Sequence, residues 1–533
     1  MANHCNLLSL PYELLLQIVE CLQRQSIVSP WRPHSKLFHV SYGPRASCLF
    51  SVAHSCRRLR DVAFPLLHRR LELCHVGILV HSSYEVVLPG YVPLITYLHK
   101  YPDRGYVTRE LKIGTWSSTS HWEQLRRYMS DKDIYNHIQT FKAVAKRCGV
   151  AYPVLLGGIE SGDGGAFVAL LTYMLPNLTE LILNPGDEFR VGAPSTRHLI
   201  VAWKTVRPSC YQTLTAVTIS YGDVRSHGEY PCSHTVAEFL KLPSLKKVVV
   251  STQTHGSRGL EMPSAAWKQL AAENPDISTS FAGLERQATT DASMGSGLDG
   301  GAIAIAKTSS QFDEEIRLSY RDCSDECLLE LSQRSAAALE RLEFHGTWMG
   351  QWNILPIIRS AVHLKVLKLT DNSPTECWPD TVDTAIRLHA PSLERLILDV
   401  NYFSYVANTQ EPSFLPCIAG IPHLKILWLN FRSILTFLKQ PLDLQKFLPR
   451  SLSSLVIKDS VAPPVSWGGS TKLQAYSNAM QSLSTITREG FPSLEVIHVW
   501  KPRIEYWCYE ELQSKLESLQ ETFDMRGIEL LLM

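Results

Sequence analysis

The sequence of 533 residues contains no long apolar run and almost no excess of either charge. No apolar run approaches the roughly 20 residues that a membrane-spanning helix requires. Lys and Arg number 52 against 51 Asp and Glu, which leaves a net charge of +1. A chain so balanced has no broad positive field with which to bind a nucleic acid backbone. We therefore expect neither a membrane partner nor a nucleic acid partner.

A secretory leader and a cysteine framework are also missing. Pro11, Glu13 and Glu20 interrupt the apolar stretch near the N-terminus, where a secretory leader would be purely apolar. The 13 cysteines are scattered, and the one close pair, Cys323 and Cys327, has no second pair at zinc-site spacing. We expect free thiols, no metal, and a location in the cytoplasm or the nucleus.

Signatures of catalysis and of cofactor binding do not occur. Residues 157 to 165 are rich in glycine, but Asp163 and Gly164 stand where a phosphate-binding loop needs Lys and a hydroxyl residue. Residues 295 to 297 lack the spacing of a nucleophile elbow, and the His-Glu-x-x-His pattern is absent. We expect no catalytic residue, no cofactor and no enzyme activity. The arginines between positions 57 and 70 are interpreted as a solvated helix face.

A short pattern, Leu-x-x-Leu-x-Leu or its apolar equivalents, returns nine times in the chain. The first residues of the nine copies are Leu178, Leu214, Leu245, Leu339, Leu364, Leu393, Leu424, Leu452 and Leu494. Most intervals are 25 to 42 residues, near or slightly above the length of one leucine-rich repeat. The interval of 94 residues after Leu245 corresponds to about three units. Ile316 with Leu318 is interpreted as a degenerate copy inside it, and Leu111 with Ile113 as a further copy upstream.

Prolines and helical periodicity define the rest of each repeat. Five copies carry Pro two residues before the first Leu, at Pro176, Pro243, Pro391, Pro422 and Pro492. Because Pro stops a preceding helix, the pattern predicts a unit of helix, turn and strand. We expect helices at 166–175 and 352–361, a closing helix and strand at 512–532, and a mobile surface loop at 287–301.

An apolar stripe occupies the first helical segment of the chain. Leu10, Leu14, Ile18 and Leu22 recur every four residues, with Leu15 and Val19 beside them. Pro11 lies in the first turn, where a helix tolerates it. About forty residues cannot bury such a stripe among themselves, so the segment is predicted to need a partner that covers it.

This stripe, with the later run Val52-Ala53-His54-Ser55-Cys56-Arg57-Arg58-Leu59-Arg60-Asp61-Val62-Ala63, resembles an F-box, and the repeats resemble those of F-box proteins of filamentous fungi. The resemblance implies an α/β chain, with a short helical F-box followed by an irregular, horseshoe-like leucine-rich-repeat solenoid. It implies an F-box at 1–75 with an inserted loop at 24–47, and a solenoid at 76–533. An F-box binds a Skp-family adaptor and, through it, a cullin ubiquitin ligase. The adaptor-binding positions implied here are Leu10, Pro11, Leu14, Leu15, Ile18, Leu22, Leu49, Val52, Cys56 and Leu59.

Aromatic residues at or just after the predicted strands are the candidate substrate surface. They are Trp348, Trp352, Trp378, Tyr402, Phe403, Trp428, Phe431 and Trp500. Aromatic side chains often anchor protein partners, but core filling explains the same pattern. Two alternatives stay open: the N-terminal helices could cap a scaffold with no ubiquitin ligase connection, and the 24–47 insertion could fold over the stripe.

Overall fold

The computed structural model describes residues 10–25, 52, 55–73, 78–80, 83–85, 91–116, 121–126, 129–185, 196–221, 233–252, 338–345, 357–358, 360–370, 386–399, 415–430, 443–458, 477–499 and 509–532. The chain forms two compact units. The first comprises Met1–Gly222 and Leu242–Leu245, and the second comprises Asp223–Lys241 and Lys246–Met533. Twelve of the described strands lie in open parallel ladders, four strands in the first unit and eight in the second.

The first unit combines helices with a parallel ladder. Its helices are α1 (Tyr12–Gln25), α2 (Arg57–Arg69), α3 (Tyr91–Lys100), α4 (Asp103–Val107), α5 (His121–Leu125), α6 (Asp131–Arg147), α7 (Pro153–Ser161), α8 (Gly164–Met174) and α9 (Arg197–Thr205). Its strands are β1 (Arg70–Leu73), β2 (Ile78–Val80), β3 (Ser83–Glu85), β4 (Glu110–Trp116), β5 (Glu180–Pro185) and β6 (Ala216–Tyr221). The ladder order is β1-β4-β5-β6, and β2 and β3 form a separate antiparallel pair.

The glycine-rich stretch of the first unit, residues 157–165, spans the end of α7, a two-residue connection and the beginning of α8. Gly162 ends α7 in the left-handed conformation, with φ of 79°. Asp163 then caps α8 by accepting hydrogen bonds from the backbone N–H groups of Gly165 and Ala166. An acceptor at this place satisfies the free N–H groups that begin a helix. The helix expected at 166–175 is confirmed as α8.

The second unit repeats a turn and a strand. Its helices include α10 (Ser233–Leu240), α11 (Leu415–Ala419) and α12 (Tyr509–Met525), and residues 386–389 and 477–483 are helical as well. Its strands are β7 (Lys247–Thr252), β8 (Arg341–His345), β9 (Val366–Thr370), β10 (Arg395–Asp399), β11 (Ile426–Asn430), β12 (Ser454–Lys458), β13 (Val496–Val499) and β14 (Glu529–Leu532). They pair in this order, and every pairing is parallel.

All nine copies of the repeat pattern form strands, β5 to β13, and the upstream copy at Leu111 forms β4. The first Leu of every one of the nine copies is no more than 2% exposed. Side chains alternate along a strand, so the two later apolar positions of each copy point to the same face, and they are buried too. The predicted closing helix and strand are confirmed as α12 and β14.

The strands on either side of the long interval between two copies are neighbours in the ladder. β7 pairs directly with β8, in the register Lys247 with Arg341 and Val250 with Phe344. A strand from a degenerate copy would have to lie between them, so the interpretation of the interval as three stacked units is wrong. Residues 316 and 318 themselves lie outside the described residues, as do residues 287–301.

Candidate partner-binding surface

The N-terminal helix α1 is held to its unit through one of its faces. Leu15 and Val19 are buried against Val62, Ala63 and Leu66 of α2. Leu10, Leu16, Val52 and Leu59 are partly buried around this cluster. Together these residues form a small apolar core shared by two helices, and α2 also contacts β1 and α4.

Two polar contacts fix the ends of this helix pair. Cys56 caps α2, because its Sγ accepts a hydrogen bond from the backbone N–H of Leu59 at 3.4 Å. The guanidinium of Arg58 donates to the backbone carbonyl of Leu10 at 2.7 Å, where α1 begins. A buried apolar contact along the helix and a charged hydrogen bond at its start together define the orientation of α1.

A second apolar face of α1 is exposed. Leu14 is 44% exposed and Ile18 38%, whereas Tyr12, which is 47% exposed, lies on the other side of the helix from Leu14. Leu14 and Ile18 are one helical turn apart, so their side chains lie side by side on the helix surface. Pro11 beside them is exposed as well. The helix therefore has one apolar face that secures it and another that a partner can contact.

The predicted adaptor-binding residues differ in how far their side chains are exposed. Pro11, Leu14 and Ile18 are exposed, whereas Leu15 is fully buried and supports α1 from beneath. The partly buried group consists of Leu10, Val52, Cys56 and Leu59. The side chain of Leu22, all of Leu49 and residues 26–47 of the predicted insertion lie outside the described residues.

Only Trp428 of the predicted substrate-binding aromatics lies within the described residues; Trp348, Trp352, Trp378, Tyr402, Phe403, Phe431 and Trp500 do not. Trp428 stands on β11 and is half-buried, on the sheet face opposite the buried leucines. The ammonium of Lys458 lies 5.7 Å from its ring centroid and 3.3 Å from an oxygen of Asp399. This arrangement combines a cation–π contact with an ion pair.

A charged cluster surrounds Glu343, on the same face of the sheet as Trp428. His345 Nε2 donates to Glu343 Oε2 at 2.9 Å, and Arg341 Nε donates to Oε1. Lys368 Nζ, on the next strand, is 3.9 Å away. Burial alone would raise the pKa of Glu343, but the hydrogen bonds from His345 and Arg341 and the positive charges of Arg341 and Lys368 lower it to about 2. The carboxylate is therefore ionised, and it is paired with Arg341, His345 and Lys368 within the fold.

Thiols and metal ligands offer no reactive centre in the described part of the chain. Cys56, Cys148, Cys210 and Cys417 are not joined in disulfide bonds. Burial raises the pKa of Cys210 to about 12, which keeps this thiol protonated and unreactive. Among the described residues, no group of three or more His, Cys, Asp or Glu side chains is placed to hold a metal ion. No described helix combines the length and apolar character needed to cross a membrane.

Comparison with known proteins adds no relative. No protein-family model matches the chain, and no curated protein matches its sequence.

Proposed function

We propose that this chain is the substrate-recognition subunit of an SCF-type cullin ubiquitin ligase. In this proposal α1 and α2 are an F-box that binds a Skp-family adaptor, and the parallel ladder is an irregular leucine-rich-repeat solenoid that binds a protein substrate. The protein would act in the cytoplasm or the nucleus. Its contribution to ubiquitin transfer would be positional, because holding a substrate near the ligase raises its effective concentration there.

The observation that carries the proposal is the exposed apolar face of α1. A protein gains little from exposing Leu14 and Ile18 together on one face of a helix unless a partner covers them. Amphipathic helices that lay an apolar face into a partner's groove are a recurring mode of recognition. Because Leu15 and Val19 already secure α1 to α2, the helix would be ordered before it meets the adaptor, which lowers the entropic cost of binding.

The test is Leu14→Asp in the full chain, assayed by co-purification with a Skp-family adaptor. Burying an unpaired carboxylate in an apolar interface costs several kcal/mol, so we expect the affinity to fall by at least about 100-fold. Leu388→Asp is the matched control, because Leu388 in the second unit is 45% exposed and Leu14 is 44% exposed. The control variant should retain the adaptor, and circular dichroism should show that both variants fold. Equal recovery of the adaptor by parent and Leu14→Asp would reject the proposal.

A scaffold without a ubiquitin ligase connection is the second candidate. It is favoured by the contacts of α2 with β1 and α4, through which the two helices could simply cover one end of the ladder. A capping role predicts that removal of residues 1–25 lowers the melting temperature of the first unit and changes no adaptor interaction. The F-box proposal predicts instead that this truncation abolishes adaptor recovery.

A further inference from the structure

A cleft of about 700 Å³ lies in the second unit, at the edge where its strands begin. It is formed by residues that flank the buried first Leu of consecutive repeats. Its lining residues are Lys246, Ala338, Glu340, His363, Lys365, Pro391, Ser392, Glu394, Pro422, His423, Lys425 and Ser451. The cleft has the size of a ligand site, and its lining residues lie in the turns that lead into the strands.

Charge alternates from strand to strand along this cleft. The residue that follows the first Leu is, in ladder order, Lys246, Glu340, Lys365, Glu394 and Lys425. Each backbone N–H donates to the carbonyl of the residue before it in this row, as in the 2.8 Å bond from Lys425 to Glu394. Neighbouring strands are about 4.8 Å apart, so successive lysines of the row are about 10 Å apart.

The lysines keep hydrogen-bonding capacity for a ligand. Lys425 Nζ is 2.9 Å from an oxygen of Glu394, and Lys365 Nζ is 3.5 Å from one of Glu340. Each ammonium has three donors, and Lys365 and Lys425 are 48% and 61% exposed. The hydrogen bond from Lys425, together with its charge and that of Lys365, lowers the pKa of Glu394, so this carboxylate remains ionised at neutral pH.

An apolar strip runs beside the charged row. Val362, Pro391 and Pro422 occupy one position in three consecutive repeats, two residues before the buried Leu. All three are exposed, and Val362 is 49% exposed. Exposed ion pairs alone contribute little binding free energy. A ligand that pairs with the lysines can gain more by covering this apolar strip.

We propose that the cleft binds an extended acidic peptide segment in polyproline II conformation, with a carboxylate at every third residue. Such a segment has three residues per turn and rises about 3.1 Å per residue, which places carboxylates about 9.3 Å apart on one face. This spacing matches the lysines at alternate strands. Glu340 and Glu394, at the strands between, disfavour segments that are acidic at every position. The site is independent of α1 and of the adaptor interaction.

The experiment uses the full chain and a fluorescein-labelled peptide of five Glu-Pro-Gln triplets, followed by fluorescence anisotropy. A peptide of the same composition with its glutamates grouped together is the comparison ligand. We expect the triplet peptide to bind at least about fivefold more tightly than the grouped one. Lys365→Gln with Lys425→Gln should weaken the triplet peptide about tenfold, or about threefold for each lysine, and added salt should weaken it further.

Controls separate this site from general charge attraction. Lys446→Gln removes a lysine that is 75% exposed in the same unit and outside the cleft, and it should leave binding unchanged. Glu394→Gln should tighten binding of a polyglutamate peptide, because it removes a repelling charge from the row. Absence of measurable binding, equal affinity for both peptides, or an undiminished affinity of the double lysine variant would each overturn the proposal. Circular dichroism of every variant excludes loss of the fold as the cause.

Discussion

Replacement of Glu343 by Gln tests the reasoning about the charged cluster on β8. The Glu343 side chain is 7% exposed, and three cationic or hydrogen-bonding partners surround it: Arg341, His345 and Lys368. Its pKa of about 2 is depressed from a reference value of 4.5, so the folded state favours the carboxylate. A depressed pKa contributes stability that is fully present above pH 4.5 and is lost as the pH falls towards 2. The effect of the substitution on stability should therefore be largest at neutral pH and decrease progressively in acid.

The size of the effect follows from the shift in pKa. The fall in pKa from 4.5 to about 2 corresponds to about 3 kcal/mol at pH 7 and about 1 kcal/mol at pH 3. Hydrogen exchange of peptides from β8 and β9, measured at increasing urea concentration, gives the local free energy of unfolding. Glu340→Gln is the control, because its carboxylate is 46% exposed and its pairing with Lys365 should contribute less than about 1 kcal/mol. A Glu343→Gln effect that is the same at pH 7 and pH 3 would refute the electrostatic account.

Two matched pairs of substitutions test the packing. Gly157→Ala should stabilise α7 by about 0.5–1 kcal/mol, because a Cβ there meets nothing within 4 Å, whereas Gly158→Ala should cost about 1–3 kcal/mol, because its Cβ would lie 2.6 Å from Cε1 of His198. Thermal unfolding followed by circular dichroism should show a higher melting temperature for Gly157→Ala and a lower one for Gly158→Ala. Shifts of the same sign would contradict the packing described here for the two glycines. Leu427→Ala should cost about 2–5 kcal/mol and Leu388→Ala less than about 1 kcal/mol, since the first side chain is fully buried and the second is 45% exposed. Urea unfolding checks this pair, and similar losses for both would count against the predicted core.

The strands of the ladder could be predicted from the sequence because each one repeats the same physical requirement. A strand buried on one face needs apolar residues at alternate positions, and a Leu three residues earlier fills the turn that leads into it. Leu364, Leu367 and Leu369 follow this rule in the order that the pattern prescribes, and all three are buried. The prolines two residues before the first Leu mark the turn itself.

Other features were not predicted, for identifiable reasons. β1 follows directly from α2 and carries only Leu71 and Leu73, so the first Leu of the pattern is missing. β1 begins at Arg70, so the ladder starts inside the segment 1–75 that was predicted to be a helical F-box. The predicted end of that segment at residue 75 stays a prediction. The register of β7 with β8 depends on contacts between residues some 94 positions apart, which spacing alone does not encode. The charged cleft becomes visible in the sequence only when the repeats are aligned on their first Leu.

The central claim is that α1 is a binding helix for a Skp-family adaptor. Isothermal titration of the purified full chain with the purified adaptor tests it most directly. The account predicts a one-to-one complex with a dissociation constant of about 1 μM or tighter, and a negative heat-capacity change from burial of Leu14 and Ile18. A titration that shows no binding, with a chain that circular dichroism shows to be folded, would contradict it.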